Sequence, residues 1–96
     1  MDLSGQDLRG VNFARANLRG ANLARANLKK ADLRFANLRR ANLNQANLRK
    51  ADARRADLRR AELKKSDLRR VDLRKAKLSD ASMRGAKTQG ARGLPR

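Results

Sequence analysis

Ala16-Asn17-Leu18-Arg19-Gly20, Ala21-Asn22-Leu23-Ala24-Arg25, Ala26-Asn27-Leu28-Lys29-Lys30 and Ala31-Asp32-Leu33-Arg34-Phe35 are consecutive copies of one five-residue phrase. The phrase continues in register in both directions until nearly the whole chain is used. Stepping by fives from Leu3 to Thr88 gives 18 central positions, and 14 of them are Leu; Phe13, Ala53, Met83 and Thr88 are the exceptions. Two residues before each centre stands a small or apolar residue, Gln6 excepted, and it is Ala without a break from Ala16 to Ala61.

Neither regular element accommodates a Leu every fifth residue. On an α-helix a step of five advances about 140° around the axis and scatters the leucines over the whole circumference. On a flat strand five is odd, so successive leucines alternate between faces. The leucines share one interior only if the backbone turns a corner within every repeat. A chain that turns regularly in one sense becomes a coil, and stacked coils pair their short extended sides in parallel, about 4.8 Å apart. Leu and Ala, two residues apart, then point inward and the other three residues face solvent. The period therefore predicts a β-solenoid.

The pattern Ala, then Asn or Asp, then Leu or Phe, then two variable residues resembles the pentapeptide repeat proteins, over roughly residues 1–90 and without insertion. The resemblance implies an all-β fold: a right-handed, quadrilateral parallel β-helix with four pentapeptide repeats per coil and a little over four coils. Residues 20 apart then stack directly. The solenoid is placed at residues 1–90, with an irregular basic tail at 91–96. In that tail two readings stay open: Leu94 folds over the last layer, or the segment is a flexible basic arm. The first coil is the least regular, with Met1, Gln6 and Val11 where Ala later dominates. Leu3, Leu8 and Phe13 are expected at an open coil end able to stack on a partner, a second copy included. Ala53 interrupts the Leu33–Leu73 ladder, and a local dent is expected there.

The 96 residues suit one domain. A mean hydropathy of −0.88 taken alone reads as disorder, and the strict Ala/Leu register overrides that. There is no cysteine, hence no disulfide. No apolar run approaches the roughly 18 residues of a membrane span. The start, Met1-Asp2-Leu3-Ser4-Gly5, lacks a signal pattern, so a cytoplasmic location is the expectation. Without His or Cys, nitrogen- and sulfur-based metal sites and the usual nucleophile–base pairs are excluded. No Gly-rich phosphate loop leads into a helix. The reading is against an enzyme, a cofactor, a metal or a small-molecule substrate.

Net charge +17 is the one global fact that points to a partner. Sorting outward residues into 20-residue columns places Arg9, Lys29, Lys30, Arg49, Lys50, Arg69, Arg70 and Lys87 against Asp7 and Asp67 on the side centred on Leu8, net +6. The next side carries Arg34, Arg54 and Arg55 among its cations and the one after it Arg39, Arg40, Arg59 and Arg60, each net +4; the side centred on Leu3 is +2. Stacked like charges about 5 Å apart repel by roughly 0.8 kcal/mol per pair in water, which phosphates replacing counterions would relieve. The named cations are therefore the candidate surface for a polyanion such as the RNA or DNA backbone, bound without sequence preference. The competing reading is a charged surface that keeps a sticky solenoid soluble. Phe35, outward in a column Arg15, Phe35, Arg55, Lys75, is a candidate either to stack a base or to take cation–π contacts. The Asn and Asp before each centre, such as Asn17, Asn22, Asn27, Asn37, Asn42 and Asn47, are read as corner-makers satisfying turn backbone groups. Carboxylates such as Asp32, Asp52 and Asp72 are expected to be ionised and paired with flanking arginines. A structural or assembly rod, natural or designed, is the alternative function. Some relatives in the resembling family act on type II topoisomerases through an acidic, DNA-like surface, a pattern from which this basic chain departs.

Overall fold

In the computed structural model, which describes residues 1–95, all pairing is parallel and spans 20 residues, from Asp2↔Asn22 through Asn37↔Asp57 to Asp72↔Arg92. Four repeats therefore make one coil. The rod measures 32 × 22 × 20 Å. Its four sides are numbered here by their first central residues, Leu3, Leu8, Phe13 and Leu18, and each side ends at an edge of the same number.

One repeat shows how the backbone is satisfied. The carbonyl of Leu23 accepts from the N–H of Ala26, closing a tight turn at 3.1 Å. Asn22 donates to Met1 of the preceding coil, while Leu23 and Arg25 donate to Asn42 and Asn44 of the next, at 2.7–3.0 Å. The remaining N–H, that of Ala24, goes to the side-chain Oδ1 of Asn22 at 3.1 Å. All five amide donors of the repeat are thus used, as a half-buried backbone requires. The side-chain bond recurs from Asn17, Asn27, Asn37, Asn42 and Asn47, which are corner-makers as the sequence indicates. Glu62 holds this place with a longer side chain. There Lys64 N–H turns instead to Asn44 Oδ1 of the coil below, at 2.9 Å, and Asn44 donates to Glu62.

The second residue of each turn lies in the left-handed region. It is glycine at Gly5, Gly10, Gly20, Gly85 and Gly90, but thirteen others, including Arg25, Lys30, Phe35, Gln45 and Lys50, hold φ between 56° and 63°. That conformation costs an L-residue roughly 1–2 kcal/mol. None of the thirteen is β-branched, the class that tolerates it least. The turn and the inter-coil bonds hold them there.

The interior is a continuous stack of Ala and Leu. Leu23, Leu28, Leu33, Leu38 and Leu43 are fully buried, and Ser66, in an Ala position, donates its hydroxyl to the Leu63 carbonyl at 2.7 Å. Leu3, Leu8 and Phe13 are only partly buried. The dent expected at Ala53 does not form. Its coil keeps ordinary spacing, with Leu33 N–H to Asp52 at 2.7 Å and Ala53 N–H to Asp72 at 2.8 Å. The backbone ladder keeps its spacing, and a small apolar void of about 10 Å³ remains in the core among Leu33, Ala53, Leu58, Leu73 and their neighbours. Pairing continues through Arg92, and Leu94 packs against the core. A Cβ on Gly93 would lie 2.4 Å from the Leu73 carbonyl, so only glycine lets the chain cross there. Arg96 lies outside the described residues.

Candidate functional site

The turns sort the basic residues into two kinds. The first turn residue follows the centre directly and lies beside the side chain two positions earlier. Where that side chain is Asp, its Oδ1 already holds the backbone N–H, and an Arg folds back onto the same carboxylate. Arg34 Nε meets Asp32 Oδ1 at 2.9 Å and Nη2 meets Oδ2 at 2.7 Å. The same fork closes in Arg9–Asp7, Arg54–Asp52, Arg59–Asp57, Arg69–Asp67 and Arg74–Asp72, with Nη2–Oδ2 distances of 2.6–2.7 Å. Planar guanidinium suits this two-point geometry in a way that lysine ammonium does not. The hydrogen bond from the arginine is the leading cause that holds Asp7, Asp32, Asp52, Asp57, Asp67 and Asp72 below the usual carboxylate range.

The second turn residue points away from every carboxylate of its own repeat. Lys30, Lys50 and Arg70 on the second edge form no ion pair among the described residues, nor do Arg55 on the third and Arg40 and Arg60 on the fourth. Lys29 and Arg39 are unpaired first-turn residues because Asn27 and Asn37 offer no charge. Arg49, after Asn47, reaches only Asp67 of the next coil, at 4.0 Å. Of the fifteen candidates read from the sequence, five (Arg9, Arg34, Arg54, Arg59 and Arg69) are thus committed to their own aspartates.

Phe35 is 46% exposed on the third edge. The Arg15 guanidinium carbon stands 4.5 Å from its ring centroid and that of Arg55 5.9 Å. Arg15 and Arg55, 20 residues before and after the ring, are the two guanidinium partners that the sequence column offered for cation–π contact. The pairing of Asp32, Asp52 and Asp72 with flanking arginines is as the sequence led one to expect, at a spacing of two residues.

The second side holds the cations together. Its grooves are lined by Asp7, Arg9, Gly10, Lys29 and Lys30, and by Arg49, Lys50, Arg69, Arg70 and Gln89, with Asp7 closed on Arg9. Lys29 is held below the ordinary lysine range, first by the charge of Arg49, with desolvation, Lys30, Lys50 and Arg9 adding to it. Arg9, Arg34, Arg54, Arg59, Arg69 and Arg74 are shifted the opposite way, upward, by their aspartates. Among the described residues, no helix is long and apolar enough to cross a membrane.

A family model for pentapeptide repeats (8 copies) matches residues 2–34, 36–74 and 54–88. The chain belongs to the pentapeptide repeat family. Its coil is accordingly the family's right-handed quadrilateral β-helix. It is similar to a pentapeptide repeat protein from the Arabidopsis thaliana thylakoid lumen, at 35% identity and TM-score 0.84, with 88% of this chain and 59% of that one covered. A pentapeptide repeat protein of Nostoc PCC 7120 matches at 30% identity and TM-score 0.80, over 93% of this chain and 85% of its own. HetL of the same Nostoc strain, involved in heterocyst differentiation regulation, matches at 31% identity and TM-score 0.59, over 95% of this chain and 50% of its own. The chain thus spans little more than half of the Arabidopsis protein and half of HetL. No curated protein matches the sequence.

Proposed function

We propose that this pentapeptide repeat chain is a non-catalytic module that binds polyanions, nucleic-acid backbones first, through cations its own carboxylates leave free. One observation carries the reading. Six aspartates take up six arginines in closed forks, yet among the described residues Lys29, Lys30, Lys50, Arg70, Arg39, Arg40, Arg55 and Arg60 form no ion pair. A surface serving solubility alone needs charge of either sign and gains from interspersing the two. Here the excess is of one sign and stacked at coil spacing, which repels until anions sit between the rungs. The Phe35 faces are occupied by guanidinium groups, so the reading assigns no base stacking and no sequence preference.

Purification at low and high salt tests it. With no Trp and no Tyr the protein barely absorbs at 280 nm, so co-purifying nucleic acid would dominate the spectrum at low salt and be stripped at high salt. Absence of binding to any nucleic acid at low salt, or binding that ignores salt, would defeat the reading and leave a rod that serves as a spacer or assembly element.

A further inference from the structure

Resting on the polyanion reading, we propose that the phosphate track is the second edge, and that it takes a single-stranded nucleic acid laid along the rod on Lys29, Lys30, Arg49, Lys50 and Arg70.

Each of the other edges is broken. The second-turn column of the first edge runs Arg25, Gln45, Lys65, and Arg25 Nε is spent on Gln45 Oε1 at 3.4 Å. On the third edge Phe35 interrupts Arg15 and Arg55 and holds both guanidinium groups over its ring. The fourth ends Arg40, Arg60, Asp80, so a carboxylate closes its groove. Only the second edge stacks dibasic turns in three successive coils: Lys29-Lys30, Arg49-Lys50 and Arg69-Arg70. Gly10 and Gly90 stand above and below in the same column, so the second-turn position carries no side chain at either end, where the groove walls are Asp7 and Arg9 at one and Gln89 at the other.

The geometry selects the ligand. The rungs stack at 20-residue offsets, about 4.8 Å apart, up one edge of the coil. A flexible strand can bring successive phosphates to successive rungs, whereas the backbone of a duplex winds away from a straight line after one or two. With Arg69 closed on Asp67, five cations remain to displace counterions. Single-strand binding with five contacts gives a slope of log K against log salt near about −3.5, far shallower than the total charge would give.

The test compares the full chain with two charge-matched variants, measuring anisotropy of a fluorescent oligo(dT) over a salt series. K29Q/K30Q/K50Q/R70Q removes four of the five cations of the second edge, and R25Q/K64Q/K65Q/R84Q removes four cations from the first side, none of them in the proposed binding set. Gln45 already holds the second-turn conformation at φ 62°, so Gln suits these turns. The second-edge variant should bind at least about tenfold more weakly and lose most of its salt slope, while the first-side variant should change by less than about threefold. Far-UV circular dichroism checks both folds; if either quadruple variant unfolds, the single reversals Lys50→Glu and Lys65→Glu, both at second-turn positions, carry the same contrast. Equal losses from the two sides, a slope near twice the expected value, or tighter binding of a duplex would overturn the edge assignment with the polyanion reading intact. Failure of the unaltered chain to bind at low salt would remove both.

Discussion

Residues 41–60 and 76–95 share one backbone and differ in almost everything hung on it. Both pair at the same 20-residue offset, Asn42↔Glu62 in the first and Asp57↔Lys77 in the second. In the first, Asn42, Asn47, Asp52 and Asp57 each hold the amide two residues on, and Leu43, Leu48 and Leu58 are buried. In the second, Lys77, Lys87 and Arg92 stand at the pairing positions, where a cation has no acceptor to offer. Leu78 and Met83 are partly buried there, and Thr88 is exposed. Period and backbone pairing are therefore enough to set the coil. Side chains decide how firmly each coil is held.

That contrast can be broken by mutation. The largest effect is expected in the core: Leu43→Ala should destabilise by about 2–5 kcal/mol, whereas Met83→Ala, already partly exposed, should cost no more than about 1 kcal/mol. Equal shifts of the two urea midpoints would mean that the coils are held alike. Acid comes next, acting on many groups at once. Asp52, Asp57, Asp67 and Asp72 have pKa values depressed by the arginine two residues on. A depressed folded-state pKa contributes stability that is present above the unfolded value of about 4 and is lost as pH falls through the folded value. The melting temperature should therefore drop on acidification below about pH 4, and hydrogen exchange should quicken at residues 51–75 more than at 76–95. A melting temperature flat from pH 5 to pH 2 would show that the forks contribute nothing.

The turn bonds give the smaller effects. Asn47→Ala removes the acceptor for Arg49 N–H and should cost about 1 kcal/mol, while Lys87→Ala should leave the midpoint unmoved. The comparison sharpens in the opposite direction with Lys77→Asn, which restores an acceptor for the Ser79 amide. A gain of about 0.5–1 kcal/mol is expected, and a loss would show that Lys77 holds its coil by some other contact.

Much of this architecture was legible beforehand because it repeats. A Leu and an Ala at fixed spacing have one arrangement that buries both, and Asn two residues before an amide has one obvious use. The number of repeats per coil was not in the period; it came from family resemblance and is fixed physically by pairing across 20 residues. Ala53 misled because a short side chain was expected to draw the wall inward, whereas amide bonds to both neighbouring coils hold the wall in place. Counting charges by column found the second side but gave Arg9 and Arg69 the same weight as Lys30 and Lys50. The difference between them is one of direction: the first turn residue leans back over its own repeat and the second leans out. Only coordinates show that Arg15 and Arg55 both cover Phe35.

Pairing at a span of four repeats also restricts how such a rod can change length. An added five-residue unit between Lys50 and Arg69 would leave every turn well formed. It would, however, rotate all later residues by a quarter of the circumference, carrying Arg69 and Arg70 onto the neighbouring edge and splitting the row of dibasic turns. Duplications that keep the row aligned must come in units of a whole coil, so the molecule behaves like a wheel with four settings, in which insertion size determines which residues face together.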